Sequence, residues 1–266
     1  MKLAAWQAPL LPRGSMAAID LARERIAWCE TKGIRILLCP EALLGGLADD
    51  ADHPAESAIS IENGQLETWL APLASNAVTT IIGFTEITAA GKLHNSAAIL
   101  HRGALLGVYR KRHPAIRRSV YSPGEETPIF TIDGLTFGIM ICNDTNHPAL
   151  ARALVALGAR ALFVPSNNAL RPEKADIVAA TRAVDIACAR ENHVPVLRAD
   201  VAGRSADRVA FGTSIIVDAA GGVLALASPL AEDMLVATID MGGQARCVTD
   251  HCRNEQSQDM PRTRRY

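Results

Sequence analysis

Short apolar runs of strand length alternate with longer segments of helical periodicity along most of the chain. Residues 34–40, IRILLCP, form one such run, and before it Ile19, Ala22 and Ile26 recur at the spacing of a buried helix face. This helix is expected to begin near Ser15, whose hydroxyl suits an N-cap. Such alternation predicts helices packed on a sheet in layers, and it argues against a sandwich built of strands alone.

Predicted hairpins interrupt the alternation, so the sheet is expected to mix parallel and antiparallel strands. Residues 95–111 and 128–142 each contain two apolar runs around a turn, and the second turn is Asp133-Gly134, a strong hairpin signal. A third hairpin is predicted over 209–228. Further strands are predicted over 2–10, 77–86, 159–166, 194–201 and 234–240, and further helices over 61–76, 147–159 and 172–192.

No internal repeat, low-complexity block or long linker divides the chain, so a single α/β domain over residues 1–266 is predicted. Apolar residues make up 49% of the chain, which is enough for a sizeable core. The segment from about residue 242 is polar and carries several arginines. We expect it to form a short tail that packs loosely or on a partner.

Charge and composition exclude several classes of partner. A formal net charge of -1 gives no general field for nucleic acid or an anionic membrane. No segment approaches the roughly 20 apolar residues that span a bilayer, and the N-terminal segment is too short and interrupted for a signal peptide. The 6 cysteines include no CxxC pair, which suits a reducing compartment. We therefore expect a cytoplasmic protein with no nucleic-acid or membrane partner.

The spacing of Cys247, His251 and Cys252 is faintly similar to that of metal ligands. A closed zinc site needs four ligands, and no fourth accompanies these three. No metal is expected there.

Three ionisable residues each follow a predicted strand directly. Glu41 follows the run 34–40, Lys111 follows ALLGVYR, and Cys142 follows LTFGIMI. In open α/β sheets, ligands bind beyond the carboxyl ends of the strands. The sequence therefore predicts that an acid, an amine and a thiol meet in one site, although a cysteine taken alone is more often a buried structural residue.

Such a trio suits acyl transfer through a thioester. A cysteine attacks a carbonyl as the thiolate, and a nearby carboxylate such as Glu41 can take its proton. The ammonium of Lys111 can then stabilise both the thiolate and the oxyanion of the tetrahedral intermediate. The backbone N–H of Asn143, directly after the nucleophile, would be a second oxyanion donor. This chemistry needs neither a metal nor an organic cofactor.

Seven motifs of the chain, in order and spacing, resemble the nitrilase, or carbon-nitrogen hydrolase, superfamily. They are CPEALLGG (39–46), GFTE (83–86), HNSAAIL (94–100), YRKRHP (109–114), GLTFGIMICND (134–144), RAVDIACAREN (182–192) and FGTSIIVDAAGGVLA (211–225). The resemblance implies a four-layer αββα sandwich and a catalytic triad of Glu41 as general base, Lys111 as oxyanion stabiliser and Cys142 as nucleophile. It also implies a scaffolding role for Asn95, Arg190 and Glu191.

Two departures from the family pattern bear on the substrate. Members of this superfamily often carry a second glutamate between the lysine and a Pro-Gly pair, and the alignment places Arg117 there. Glu125 or Glu126 could compensate, or the subfamily does without this acid. The residue after the nucleophile is often aromatic, whereas here it is Asn143. Arg117, or its neighbour Arg118, could instead hold an anionic group of the substrate, because guanidinium pairs well with carboxylate.

The loops over 46–60, 112–127 and 166–175 are expected to shape the pocket, and Asn167 in the third is a further candidate for substrate binding. A Cys–His protease using His147 or His193 is a weaker alternative, because no signature of that class accompanies them.

The leading functional hypothesis is a hydrolase of a small amide or N-carbamoyl compound that releases ammonia. Nitrile hydrolysis, acyl transfer to an amine, and a degenerate binding or regulatory protein remain open. A poised Cys142 is expected to react with iodoacetamide at lower pH than the other cysteines. The resemblance also implies a homodimer or larger homo-oligomer, assembled through the helices over 147–159 and 172–192.

Overall fold

The computed structural model describes residues 1–49, 51–170, 177–205, 208–240 and 245–246. In chain order its helices and strands are β1 (Lys2–Pro9), α1 (Ala17–Thr31), β2 (Ile36–Leu38), α2 (Gln65–Leu70), β3 (Thr79–Ile87), β4 (Leu93–His101), β5 (Ala104–Arg110), β6 (Ile129–Ile132), β7 (Leu135–Ile139), α3 (Pro148–Ala156), β8 (Leu162–Pro165), β9 (Ala169–Leu170), α4 (Ile177–Asn192), β10 (Val196–Ala199), β11 (Val201–Ser205), β12 (Arg208–Phe211), β13 (Ile215–Val217), β14 (Val223–Leu226), β15 (Asp233–Ile239) and β16 (Ala245–Arg246). Two 3₁₀ segments, Ala71–Leu73 and Cys142–Asn146, complete them.

The strands form two sheets that both mix parallel and antiparallel pairs. The larger runs in the order β5-β4-β3-β2-β1-β11-β12-β9, with β15 paired to β1 and β16 to β15, and the smaller runs β14-β13-β10-β8-β7-β6. The hairpins predicted over 95–111 and 128–142 are confirmed as β4-β5 and β6-β7. In the second, Asp133 has a φ of 45°, a conformation that an Asp-Gly turn tolerates.

The two sheets and the helices on their outer faces form four layers, and a large hydrophobic core lies between each pair of neighbouring layers. The inner core lies between the sheets and includes Leu3 and Ile81 from the larger sheet and Phe137 and Phe163 from the smaller. A second core packs α1 and α2 on the outer face of the larger sheet, and a third packs α3 and α4 on the outer face of the smaller. The four-layer αββα sandwich implied by the resemblance is thereby confirmed.

The chain crosses between the sheets at two places where the sequence predicts uninterrupted strands. Residues 194–201 divide at Asp200 into β10 of the smaller sheet and β11 of the larger one, and residues 209–217 divide likewise into β12 and β13. The predictions of one uninterrupted strand in each segment are wrong. The buried carboxylate of Asp200 holds together the two points at which the chain leaves one sheet for the other. Asp200 accepts hydrogen bonds from the backbone N–H groups of Val201 and Thr213, on either side of the crossing.

Other boundaries differ by smaller amounts. Helix α1 begins at Ala17, whose N–H donates to Ser15 Oγ at 3.3 Å. The helix predicted over 61–76 is shorter, since Pro72 has no N–H to continue α2 and a 3₁₀ turn follows.

Parts of several predictions concern residues that the structure does not describe. These are the first residues of the 172–192 helix, up to 176, residue 50 and residues 171–175 of the loops expected to shape the pocket, and the tail from residue 242, including the Cys247, His251 and Cys252 set, except for β16. Among the helices that are described, none has the length and apolar character needed to cross a bilayer.

Candidate active site

Glu41, Lys111 and Cys142 line one cavity of about 600 Å³. Lys111 directly follows β5, whereas Glu41 and Cys142 lie shortly after the ends of β2 and β7. The acid and the amine thus come from the larger sheet and the thiol from the smaller. The meeting of these three side chains, predicted from their positions after strands, is what the structure shows.

Glu41 and Lys111 form a buried ion pair. Lys111 Nζ donates to Glu41 Oε1 at 2.6 Å, and the side chains are only 4% and 2% exposed. Asn95 Nδ2 donates to the same oxygen at 2.8 Å, and the N–H of Asn167 donates to Oε2 at 2.9 Å. Burial acts to lower the pKa of Lys111, but the Glu41 carboxylate outweighs it, so the pKa is raised and the ammonium stays charged.

Cys142 lies in a strained turn at the start of the 3₁₀ segment. Its φ is 45°, in the left-handed region that non-glycine residues seldom adopt. Such strain persists where surrounding contacts enforce it, and it is common at functional sites. The side chain is partly exposed, and Sγ lies 3.7 Å from Asn168 Oδ1.

The side chain of Asp144 stabilises this turn through hydrogen bonds. It is fully buried, and its Oδ2 accepts hydrogen bonds from Tyr109 Oη at 2.7 Å and from the N–H of Ile141 at 2.9 Å. Its Oδ1 accepts from the N–H and from Nδ1 of His113, in the segment after Lys111. One carboxylate therefore links the Cys142 turn to the strand and loop on either side of Lys111.

The orientation of the Asn168 amide follows from Asp200. Asn168 Nδ2 lies 3.0 Å from Asp200 Oδ2 and 3.0 Å from Thr213 Oγ1. A carboxylate only accepts hydrogen bonds, so the amide must present its NH₂ group there and its oxygen to Cys142. Asn168 thus links Asp200, at the crossing between the two sheets, to the sulfur of Cys142.

A second buried ion pair supports the wall of the cavity next to the thiol. Arg198 is 1% exposed and donates through Nε to Asp185 Oδ2 at 2.5 Å and through Nη2 to Oδ1 at 2.6 Å. It also contacts Ser166 Oγ and Thr145 Oγ1. The guanidinium therefore holds α4 against the turn that contains Cys142.

Replacing Arg198 by methionine is expected to lower the free energy of unfolding by about 3–5 kcal/mol, because Asp185 is left as an uncompensated buried charge. Urea denaturation followed by circular dichroism measures the change. The double variant Arg198→Met with Asp185→Leu removes both charges and is expected to recover most of the loss. A double variant as unstable as the single one would contradict this account.

The surroundings of Cys142 favour the neutral thiol. Burial, followed by the Glu41 carboxylate, raises the pKa of Cys142 to about 12, against the opposing charges of Lys111 and Arg198. The expectation of alkylation at unusually low pH therefore runs against the direction of this shift.

Alkylation of Cys142 by iodoacetamide is expected to rise about tenfold per pH unit from neutral pH upward, because the thiolate is the reactive form and its pKa lies far above. Peptide mass spectrometry at a series of pH values measures the rate. The same peptide in urea is the control, with a midpoint near pH 8.5. A plateau below pH 8 in the folded protein would contradict the expectation.

The other residues considered for the site occupy different places. Asn143 lines the cavity, and its Nδ2 donates to the carbonyl oxygens of His113 and Pro114. Asn167 also lines the cavity, with its Nδ2 3.3 Å from the carbonyl oxygen of Glu41. Both suit the predicted roles, which remain predictions.

Arg117 and Arg118 are exposed and are not among the residues that line the cavity, so substrate binding by either also remains a prediction. Glu125 and Glu126 line a separate cavity. Asn95 holds Glu41, as a scaffold residue would, whereas Arg190 and Glu191 are exposed on α4.

Neither histidine of the weaker alternative has a described contact with the sulfur. His147 is exposed and stacks on His113, with ring centroids 3.6 Å apart, and His193 is exposed beyond α4.

Two sheets packed between helices, with a carboxylate, an ammonium and a thiol in one cavity, are characteristic of the nitrilase superfamily. The family model described as carbon-nitrogen hydrolase matches residues 2–246, and the chain belongs to this family of enzymes.

Individual relatives agree with this assignment. The chain is 30% identical to an (R)-stereoselective amidase of Pseudomonas sp over 192 residues, which cover 71% of this chain and 67% of that protein. The structure of a carbon-nitrogen hydrolase from Helicobacter pylori G27 shares the fold, with a TM-score of 0.80 and 24% identity over 91% of this chain and 89% of that one. The chain spans about half (47%) of a glutamine-dependent NAD+ synthetase from Acinetobacter baumannii, matched over 94% of this chain with a TM-score of 0.78 and 21% identity.

Proposed function

We propose that this enzyme hydrolyses the C–N bond of a small amide or N-carbamoyl compound and releases ammonia through a thioester on Cys142. The observation that carries the proposal is the buried Glu41–Lys111 ion pair in the same cavity as the thiol. The cavity volume of about 600 Å³ lies within the usual range for small-molecule sites. The relative described as an amidase acts on the same class of bond.

In the first half of the cycle, Cys142 Sγ attacks the carbonyl carbon while its proton passes to Glu41. The oxygen of Glu41 that Lys111 does not hold accepts one backbone hydrogen bond, and a carboxylate oxygen has room for another. The oxyanion would be stabilised by the Lys111 ammonium and by the N–H of Asn143. The tetrahedral intermediate then collapses, the proton on Glu41 passes to the leaving nitrogen, and ammonia departs.

In the second half, water attacks the thioester carbon as Glu41 takes a proton from it. The second tetrahedral intermediate collapses with the sulfur as leaving group, and the proton returns from Glu41 to Sγ. One amide and one water thus give one acid and one ammonia, and the thiol is restored.

Ammonia release from a panel of small amides, N-carbamoyl compounds and nitriles tests the proposal, together with the intact mass of the enzyme quenched during turnover. The expected result is ammonia from an amide or N-carbamoyl compound, with an added acyl mass on the Cys142 peptide. Ammonia from nitriles alone, or an acyl mass on another residue, would contradict it.

The proposed partner is thus a small amide-type molecule. A homo-oligomer through the outer helices α3 and α4, as the resemblance implies, is expected to elute above the monomer mass of 28.3 kDa in light-scattering chromatography. A monomer at micromolar concentration would contradict this expectation.

A further inference from the structure

The cavity around Cys142 contains an acidic side chain that the proposed cycle does not use. Asp49 follows the Glu41 segment in the chain and is among the residues that line the cavity. It is partly buried, and its position is fixed: Oδ1 accepts hydrogen bonds from Ser119 Oγ at 2.7 Å and from the N–H of Val120 at 2.9 Å. Both donors lie in the loop between Lys111 and Tyr121.

The second oxygen of Asp49 accepts no hydrogen bond from any of the residues that the structure describes, and no described cation pairs with the side chain. By contrast, each of the cationic groups nearest the thiol already forms an ion pair with a carboxylate of the protein. Lys111 is paired with Glu41, and Arg198 with Asp185. Arg208 lines both this cavity and a smaller one of about 310 Å³. It also has an interaction within the protein, so it is not a free cation.

Hydrogen bonds and strand pairing connect the segment before Asp49 to the residues that hold Glu41. Tyr121 Oη accepts from the N–H of Ala48 at 2.7 Å and lies 2.8 Å from Thr85 Oγ1. Thr85 is paired across the sheet with Asn95, which holds Glu41. Because Asp49 and Cys142 line the same cavity, a substrate whose carbonyl lies at Cys142 can present its far end to Asp49.

We infer that Asp49 forms a subsite for a protonated amine, so that the substrate is a small amide or N-carbamoyl compound with an ammonium group at its far end. The inference rests on the proposed function. A carboxylate with an open oxygen in a partly desolvated cavity binds an ammonium by a charge-assisted hydrogen bond, and it repels a substrate carboxylate. This reverses the charge expected if Arg117 were to bind the substrate.

Three amides of equal chain length measure the charge preference: pentanamide, 5-aminopentanamide and the monoamide of glutaric acid. We expect kcat/KM for the amino compound to exceed that for pentanamide by about tenfold or more, and the acid to be the poorest substrate. An equal or greater kcat/KM for the acid would overturn the inference.

The variant Asp49→Asn is expected to remove this preference. It keeps an oxygen for Ser119 and Val120, so the loop stays in place, while the ratio of kcat/KM for the amino compound to kcat/KM for pentanamide falls about 10- to 100-fold. Asp52→Asn, at an exposed position further along the same segment and outside the cavity, is the control for the loss of a nearby carboxylate. Ser119→Ala breaks a loop contact but keeps the carboxylate. If it reproduced the effect of Asp49→Asn, Asp49 would hold only the loop and the inference would fail.

Protection of Cys142 from iodoacetamide separates this inference from the proposed function, because it needs no turnover. Butylammonium is expected to slow alkylation in the wild type and not in Asp49→Asn, while 1-butanol and butyrate protect neither. If no amide were hydrolysed but butylammonium protected the thiol, the result would support the cation subsite and contradict the proposed amide hydrolysis. If butyrate protected as well as butylammonium, the subsite would be ruled out whatever the amide assays gave.

Discussion

Replacing Cys142 by alanine is expected to abolish hydrolysis, with a fall in kcat of about 10⁴-fold or more, comparable to the loss of a nucleophile in other acyl-transfer enzymes. Of the four cysteines that the structure describes, Cys142 alone lines the cavity. Cys29, Cys39 and Cys188 are buried in the outer cores, away from the cavity, and burial raises the pKa of each. Ammonia release under saturating substrate measures the effect.

The matched control is Cys188→Ala, which removes a buried thiol from the core under α4 and leaves the cavity intact. This variant is expected to lower the free energy of unfolding but to keep kcat within about twofold, because Cys188 lies in the core under α4 and not in the cavity that contains Cys142. Substrate binding by Cys142→Ala is expected to persist, because the cavity loses only a sulfur. If Cys142→Ala retained a tenth of the wild-type rate, the thioester route would be excluded.

The meeting of Glu41, Lys111 and Cys142 in one cavity can be predicted from the sequence because each comes directly after an apolar run. A strand delivers whatever residue follows it to the edge of its sheet, so the placement of Lys111 after β5 and of Cys142 after β7 could be predicted by local pattern. The resemblance then supplied the pairing between segments, which local pattern cannot give. The αββα layering follows from the same combination.

The supporting network was not accessible in this way, since its partners are far apart in the chain. Asp144 closely follows Cys142 in the chain, yet its partner Tyr109 lies on a strand of the other sheet. The sequence predicts Asp200 within a strand, because an isolated acid in an apolar run gives no sign that the chain changes sheets there. The one available signal was that a charged residue in a buried run needs partners.

Arg198 illustrates the same limit. An arginine between Leu197 and Ala199 in a predicted central strand indicates a buried cation, but only the fold shows that α4 brings Asp185 to it. Asp49 was missed for another reason: its loop has no periodicity, and its position depends on contacts with a second loop.

Replacing Glu41 by glutamine is expected to reduce kcat by about 10²- to 10⁴-fold, because the amide cannot take the proton from the thiol or from water. The same variant is expected to change thiol reactivity in the opposite direction. The Glu41 carboxylate raises the pKa of Cys142, so its removal lowers that pKa and speeds alkylation at pH 8.

These opposite changes distinguish a base from a scaffold residue. If Glu41 served only to hold Lys111, its loss would free the ammonium without removing a proton acceptor, and turnover would fall little. If the variant disrupted the site, alkylation would become as fast at Cys188 as at Cys142. Glu86→Gln is the control, because Glu86 is also buried and paired with an arginine, Arg110, yet it lies outside the cavity. It is expected to leave both kcat and the alkylation of Cys142 unchanged, so that a loss of turnover with faster alkylation, seen in Glu41→Gln alone, identifies Glu41 as the proton acceptor.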